Sequence, residues 1–261
     1  MICVAGHFGE WIQGLMGGDV VLVTLACPIR GVRAAWQDAP DLQIIQSAPL
    51  LDQERAQAFL HALGKLRRGR ITLEADLPPG MGAGMSTAAL VALARAVGAD
   101  EHQIAQACLL VEGASDPLML AMPDTVIWAS RRAQVVADAL RPPTADILGG
   151  FSGPAVMTNP TDMDFPDIED LVAEWRNGPD LAQAARLASL SAERTTALRG
   201  PASDPMPDLA RALGALGWVR AHTGAARGLI FAPGTVPHHG RDALREAGLT
   251  HVFCFTTGAG A

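Results

Sequence analysis

No C-x-x-C pair occurs among the four cysteines, Cys3, Cys27, Cys108 and Cys254, which excludes a zinc ribbon and a dithiol redox motif. They read as reduced, mostly buried thiols. Lysine is almost missing: Lys65 is the only one, and with 20 Lys+Arg against 27 Asp+Glu the formal net charge is −7. No block of cations is dense enough to track a phosphate backbone, so nucleic acid is not an expected partner. The densest basic run, Lys65, Arg67, Arg68 and Arg70, reads as the polar end of a helix and its turn. No window reaches the roughly 18–20 apolar residues of a membrane span, and the N-terminus has neither a basic n-region nor an apolar h-region. The expectation is a cytoplasmic chain with no membrane partner. Charged residues make up only 18% and hydrophobic residues 49%, the reverse of a disordered composition. A length of 261 residues allows one large or two modest globular domains.

Apolar runs at residues 1–6, 20–35 (broken at Pro28) and 42–46 predict an N-terminal sheet, and residues 70–77 alternate as a half-buried strand should. Helical spacing covers 53–66, 86–97 and 101–112, and strand-like segments follow at 125–129 and 133–136. The Pro142-Pro143 pair marks a boundary, giving domains 1–140 and 141–261. The second half reads as strand 147–157, helix 181–198, a helix from Asp208, strands 219–221 and 229–232, helix 241–247 and strand 251–255. That is a βαββαβ plan with one extra helix. Segments 159–170 and 199–207 are rich in Pro, Asp and Ser and are expected to be loops.

The most informative stretch is Pro78-Pro-Gly-Met-Gly-Ala-Gly-Met-Ser-Thr-Ala-Ala89, a glycine-rich turn between a strand and a helix. Gly80, Gly82 and Gly84 let the backbone turn sharply, and the following helix aims unpaired N–H groups and a partial positive charge at the same spot. An anion, above all phosphate, belongs there. It is neither a Walker A loop, for want of the Lys, nor a dinucleotide fingerprint, since Met85 stands where the third Gly would be.

Together with Gly6-His-Phe-Gly-Glu-Trp-Ile-Gln-Gly14 and Ala221-His-Thr-Gly-Ala-Ala-Arg-Gly-Leu-Ile-Phe231, this loop resembles the three ordered motifs of the GHMP kinases (galactokinase, homoserine kinase, mevalonate kinase and phosphomevalonate kinase). Within that superfamily the chain is most similar to the L-threonine kinases of cobalamin synthesis, through Gly9-Glu-Trp-Ile-Gln-Gly14, Ser86-Thr-Ala88, Glu112-Gly-Ala-Ser-Asp116 and Ala221-His-Thr-Gly224. It departs from the pattern at Met85, which replaces the first residue of a Ser-Ser pair, and at Ser191-Ala-Glu-Arg-Thr195, which lacks an Asn-Gln. The resemblance implies an α+β GHMP kinase fold, with a ribosomal-S5-domain-2-like N-terminal half and a ferredoxin-like C-terminal half. It also implies ATP bound between the halves, Mg²⁺, and a small hydroxy amino acid as acceptor.

On that resemblance, residues Pro79, Gly80, Met81, Gly82, Ala83, Gly84, Met85, Ser86 and Thr87 wrap the nucleotide phosphates. Ser86 and Glu112 hold Mg²⁺, Ser86 and Asp116 serve catalysis, and Glu10, Gln13, Asp116, Thr223 and Gly224 meet the substrate. Phosphoryl transfer needs clamped phosphates, a metal and an aligned hydroxyl, and these residue types supply each. Ser86 also reads as a plain helix N-cap, Glu112 and Asp116 as an exposed acid pair, Glu10 as a hairpin-surface residue and Thr223-Gly224 as a simple turn. Arg194 and Arg227 are candidates for a substrate carboxylate. His7 and His222 read as packed or exposed histidines. Alternatives are a kinase for homoserine or a related hydroxy acid, or a nucleotide-binding protein that kept the fold without turnover. Nothing in the chain demands a protein partner, and a homodimer is left open.

Overall fold

The computed structural model describes residues 1–66 and 68–258; the Arg67 of the basic run lies outside them. Two long strands found the sheet, β1 (Ile2–Met16) and β2 (Asp19–Gln37), joined by a turn at Gly17-Gly18 and paired antiparallel along most of their length. The expected short strand thus runs on through the whole glycine-punctuated motif. Pro28 does not break β2 either. The register jumps there, with Ala5 opposite Gly31 and Gly6 opposite Cys27, so the residue without an N–H falls in a bulge where no ladder bond is needed.

β3 (Leu42–Gln46), α1 (Gln53–Ala62) and β4 (Gly69–Ala75) form a parallel crossover against β2. α2 (Met85–Ala96) and α3 (Glu101–Glu112) then pack over the sheet, followed by the hairpin β5 (Val126–Ala129) and β6 (Gln134–Asp138). Nine of the 12 residues of α2 are buried, many of them alanine. A helix that is apolar on nearly every side belongs in the core, and small side chains let it approach the strands closely.

In the second half, β7 (Asp146–Phe151) is shorter than the run 147–157 suggests, and the chain continues irregularly towards α4 (Glu169–Trp175), a helix starting inside the expected loop 159–170. α5 (Leu181–Arg199), α6 (Met206–Leu213), β8 (Gly217–Arg220), β9 (Ala226–Phe231), α7 (Gly240–Glu246) and β10 (Thr250–Thr256) complete the chain. The order β10-β7-β9-β8, with every pair antiparallel, is the ferredoxin-like arrangement. β8 meets β1 where Arg220 pairs with Glu10, so among the described residues one ten-stranded sheet runs through both halves.

The halves also share a core. Phe8 on β1 lies edge-on to Phe151, Phe253 and Phe255, with centroids 5.2–5.8 Å away, and Trp11 packs against Trp175 of α4. Burying a side chain of that size contributes about 1.5–3 kcal/mol, and the edge-on geometry adds about 1 kcal/mol per pair. Among the cysteines, Cys27 and Cys108 are buried, but Cys3 is exposed near the start of β1. No helix among the described residues is long and apolar enough to cross a membrane.

Candidate active site

The glycine loop owes its shape to bonds made on one side only. The carbonyl of Gly80 accepts from Val156 N, that of Met81 from Ala225 N and Ala226 N, that of Gly82 from Gly9 N, and that of Ala83 from His7 N. A trans peptide carries its N–H opposite its C=O, so the amides of residues 81–84 point away from those four anchors. Gly80, Gly82 and Gly84 all have φ between 68° and 78°. At Gly82 a Cβ would also come within 2.3 Å of the Ala221 Cβ, so a side chain is barred there by space as well as by conformation. The loop ends as the N-cap of α2: Gly84 takes that place without a side-chain bond, which leaves the first amides of the helix unpaired. Ser86 is therefore in the first turn and is not the N-cap. Met85 turns into the core against Gly6 and keeps its backbone in the loop.

Beside this loop lies a cavity of about 410 Å³ into which several elements direct charged groups. From α3 and the turn after it come Glu112 and Asp116, from β1 His7 and Glu10, and from α1 Arg55. Glu112 Oε1 accepts from Arg55 Nη2 at 2.6 Å and from the Ser86 hydroxyl; its Oε2 is 3.2 Å from Thr87 Oγ1. Thr87 Oγ1 also reaches Asp116 Oδ2 at 3.4 Å, and His7 Nε2 lies 3.1 Å from the same oxygen. Since an ionised carboxylate only accepts, the imidazole carries its proton on Nε2 towards Asp116. The result is one connected chain of polar groups from Arg55 to His7 along the cavity wall.

Burial sets the electrostatics of this chain and neighbouring charges correct it. Burial pushes Glu112 up from the usual carboxylate range, against the Ser86 bond and the Arg55 charge. At Asp116 burial works in the same direction, but the charge and hydrogen bond of His7, with Thr87, outweigh it and hold the carboxyl below its ordinary value. Burial would lower His7, yet Asp116 and Glu10 raise it to about 9. Glu10, only 7% exposed, is pushed by burial to about 7. Its Oε2 has no partner.

No protein-family model and no curated protein matches this sequence. Solved structures do match over almost the whole chain. A phosphotransferase related to the CoA biosynthesis pathway superposes with TM-score 0.66 at 16% identity, covering 98% of this chain and 95% of the other. The L. major mevalonate kinase in complex with R-mevalonate gives 0.61 at 15%, covering 98% and 93%. Homoserine kinase from Cytophaga hutchinsonii gives 0.53 at 14%, covering 98% and 94%. The fold is that of the GHMP kinases.

On this GHMP kinase fold the residues expected from sequence fall into two groups. Glu10, Gln13, Gly80, Gly82, Gly84, Met85, Ser86, Thr87, Glu112, Asp116 and Thr223 all line the one cavity. Pro79, Met81, Ala83 and Gly224 do not: Met81 and Ala83 turn into the core, and Gly224 lies so close behind the loop that a Cβ there would come within 2.5 Å of Gly82 N. Glu10 and Glu112 are no surface acids. Arg194 is engaged by Asp170 on the surface and Arg227 is buried on Asp204, so neither reaches the cavity. His222 is packed, between Thr195 and Ser191. Among the cavity residues that the motifs did not assign, three bear most on its charge. His7 stood inside the first motif but reads from sequence as a packed or exposed histidine; Arg55 and Arg131 stand outside every motif, and only folding brings them to the site.

Proposed function

We propose that the chain is an ATP- and Mg²⁺-dependent kinase that phosphorylates the hydroxyl of a small hydroxy acid, with L-threonine as the foremost acceptor. The observation that carries this reading is the convergence of loop amides, Ser86, Glu112 and Asp116 on one cavity of a kinase fold. ATP would supply the phosphoryl group and Mg²⁺ would spread its charge. The donor set suits that ion. Mg²⁺ is held through one or two carboxylates and completes its shell with phosphate and water oxygens, and Glu112 with Ser86 offers one carboxylate and one hydroxyl. Among the described residues no group of three or more His, Cys, Asp or Glu gathers into a self-sufficient metal site, which leaves room for phosphate ligands.

The chain's own residues then have separable tasks. The amides of residues 81–87 receive the phosphate oxygens, and the Arg55 guanidinium, already on Glu112 and Ser86, adds a cation where charge accumulates. Asp116 accepts the acceptor's hydroxyl proton in a hydrogen bond and so aims its oxygen. A carboxyl held below its ordinary value by His7 is a weak base but a firm acceptor, which fits a loose transition state that demands alignment more than deprotonation. Glu10, buried with an unpartnered oxygen, suits an ammonium.

Mg·ATP with L-threonine, L-serine and L-homoserine tests this directly through ADP release and phosphorylated product. ADP formation dependent on L-threonine, reduced at least tenfold in Ser86→Ala, is the expected result. Tight ATP binding without turnover on any acceptor would overturn it.

A further inference from the structure

The cavity holds two arginines in different states. Arg55 is engaged by Glu112. Arg131, in the turn between β5 and β6, lines the same cavity and has no carboxylate within 4.0 Å among the described residues. Of its five N–H donors only one is engaged there, Nη2 to the carbonyl of Asn159 at 3.2 Å, and its Nε is buried without a partner. Buried guanidinium donors left unsatisfied in a closed core are costly; beside a cavity they are a docking edge.

The position of Arg131 is well determined. Ser130 N donates to Val20 O, Ser130 O accepts from Ser115 N, and Arg132 N closes the turn on Ala129 O. Arg132 leaves the other side of that turn to pair with Asp19 on the surface, so the two adjacent arginines are sorted, one outward and one into the cavity. The Asn159 carbonyl is fixed in turn, because the Asn159 side chain accepts from the backbone and hydroxyl of Thr161. Arg131 and Asp116 line the same cavity, and of the acids whose charge Arg131 feels, Asp162 is already held by Arg199 while Asp116 faces the cavity. A hydroxyl aligned by Asp116 would thus have Arg131 a short distance along the same small molecule.

We infer that Arg131 is the carboxylate-binding residue of this site, so that the acceptor is a hydroxy acid whose carboxylate docks on its guanidinium. The inference rests on the kinase reading for the acceptor's hydroxyl, but the docking itself does not require turnover. A planar guanidinium takes a carboxylate through two parallel N–H···O bonds, which a lysine or a neutral side chain cannot reproduce.

Calorimetric titration without nucleotide separates the two readings. L-serine, L-threonine, L-homoserine and R-mevalonate are the carboxylate probes; L-threoninol and galactose are the neutral ones. At least one carboxylate probe is expected to bind wild-type protein, with Arg131→Gln weakening it tenfold or more and Arg131→Lys recovering only part. Affinity for Mg·ATP should stay within twofold, and L-threoninol should lose nothing on substitution. If ATP is never turned over but this pattern holds, the kinase reading fails and the carboxylate site stands. Three results would overturn the inference: no carboxylate probe binding, Arg131→Gln binding them as well as wild type, or a loss confined to Mg·ATP, which would make Arg131 a nucleotide contact. Circular dichroism of both variants checks that a loss of binding is not a loss of fold.

Discussion

Two regions of this chain bury polar groups densely, and they differ in how completely those groups are paired. In the C-terminal half, Arg227 and Asp204 meet at 2.8 Å with side chains 4% and 2% exposed, Arg220 donates to Thr196 Oγ1 and the Gly200 carbonyl, and His222 lies between Thr195 and Ser191. Burial and the nearby arginines hold His222 well below its ordinary pKa, and it stays neutral. No buried side-chain nitrogen or oxygen of Arg220, Arg227, Asp204 or His222 is left without a partner. Along the cavity, by contrast, Glu10 Oε2, His7 Nδ1 and Arg131 Nε have no hydrogen-bond partner, two carboxylates share one threonine hydroxyl, and the amides of residues 81–84 donate to no backbone carbonyl among the described residues. Density of buried charge is therefore a poor marker of a site; incompleteness beside a cavity is the better one.

Substitutions can break this contrast in order of size. Asp116→Asn keeps the shape but removes the charge that His7 and a hydroxyl need; turnover should fall by about 10²–10⁴, read as kcat, and the denaturation midpoint should fall by less than in Asp204→Ala, because a buried imidazole left without its carboxylate can shed its proton whereas a guanidinium cannot. Asp204→Ala should do the opposite. It strands the buried Arg227 charge, costing about 3–5 kcal/mol in urea denaturation, while affinity for ADP is retained. Loss of ADP affinity in Asp204→Ala, or a larger stability loss in Asp116→Asn, would dissolve the distinction between the regions.

The smallest effect is in pH. An imidazole raised from 6.5 to about 9 by its acid neighbours stabilises the fold fully below pH 6.5, and the contribution is lost as pH climbs through 9. Wild-type Tm should fall over that window more steeply than the Tm of His7→Gln. Glu10, raised from 4.5 to about 7, adds a loss of the same sign over its own lower window. Parallel Tm curves for the two proteins would mean that the His7–Asp116 pair is not ionised as the geometry implies.

Local order carried most of the architecture into the sequence. α3 was legible to the residue because Asp100 caps it, Gly113 ends it in the left-handed region and apolar residues keep helical spacing between them. α4 was not legible, since its seven residues follow an Asp- and Pro-rich stretch and gain their stability from Trp175 packing on Trp11. The run 147–157 looked like one strand, but pairing with β9 and β10 stops at Phe151, beyond which the chain turns to bond the glycine loop. Glu10, Ser86, Glu112 and Asp116 were singled out in the sequence through motifs that resemble those of the GHMP kinases, and folding brings all four to one cavity.

Spacing and side-chain type alone thus determined most of the elements and the glycine turn at the start of α2, because capping, periodicity and glycine conformation act over a few residues. Only the tertiary structure decided that His7 clamps Asp116 across 109 positions, that Arg55 caps Glu112 across 57, and that Arg131 enters the cavity while Arg194 and Arg227 stay out. Those choices depend on which long-range charges meet once water is excluded, and a Coulomb interaction depends on distance in space and local dielectric rather than on separation along the chain.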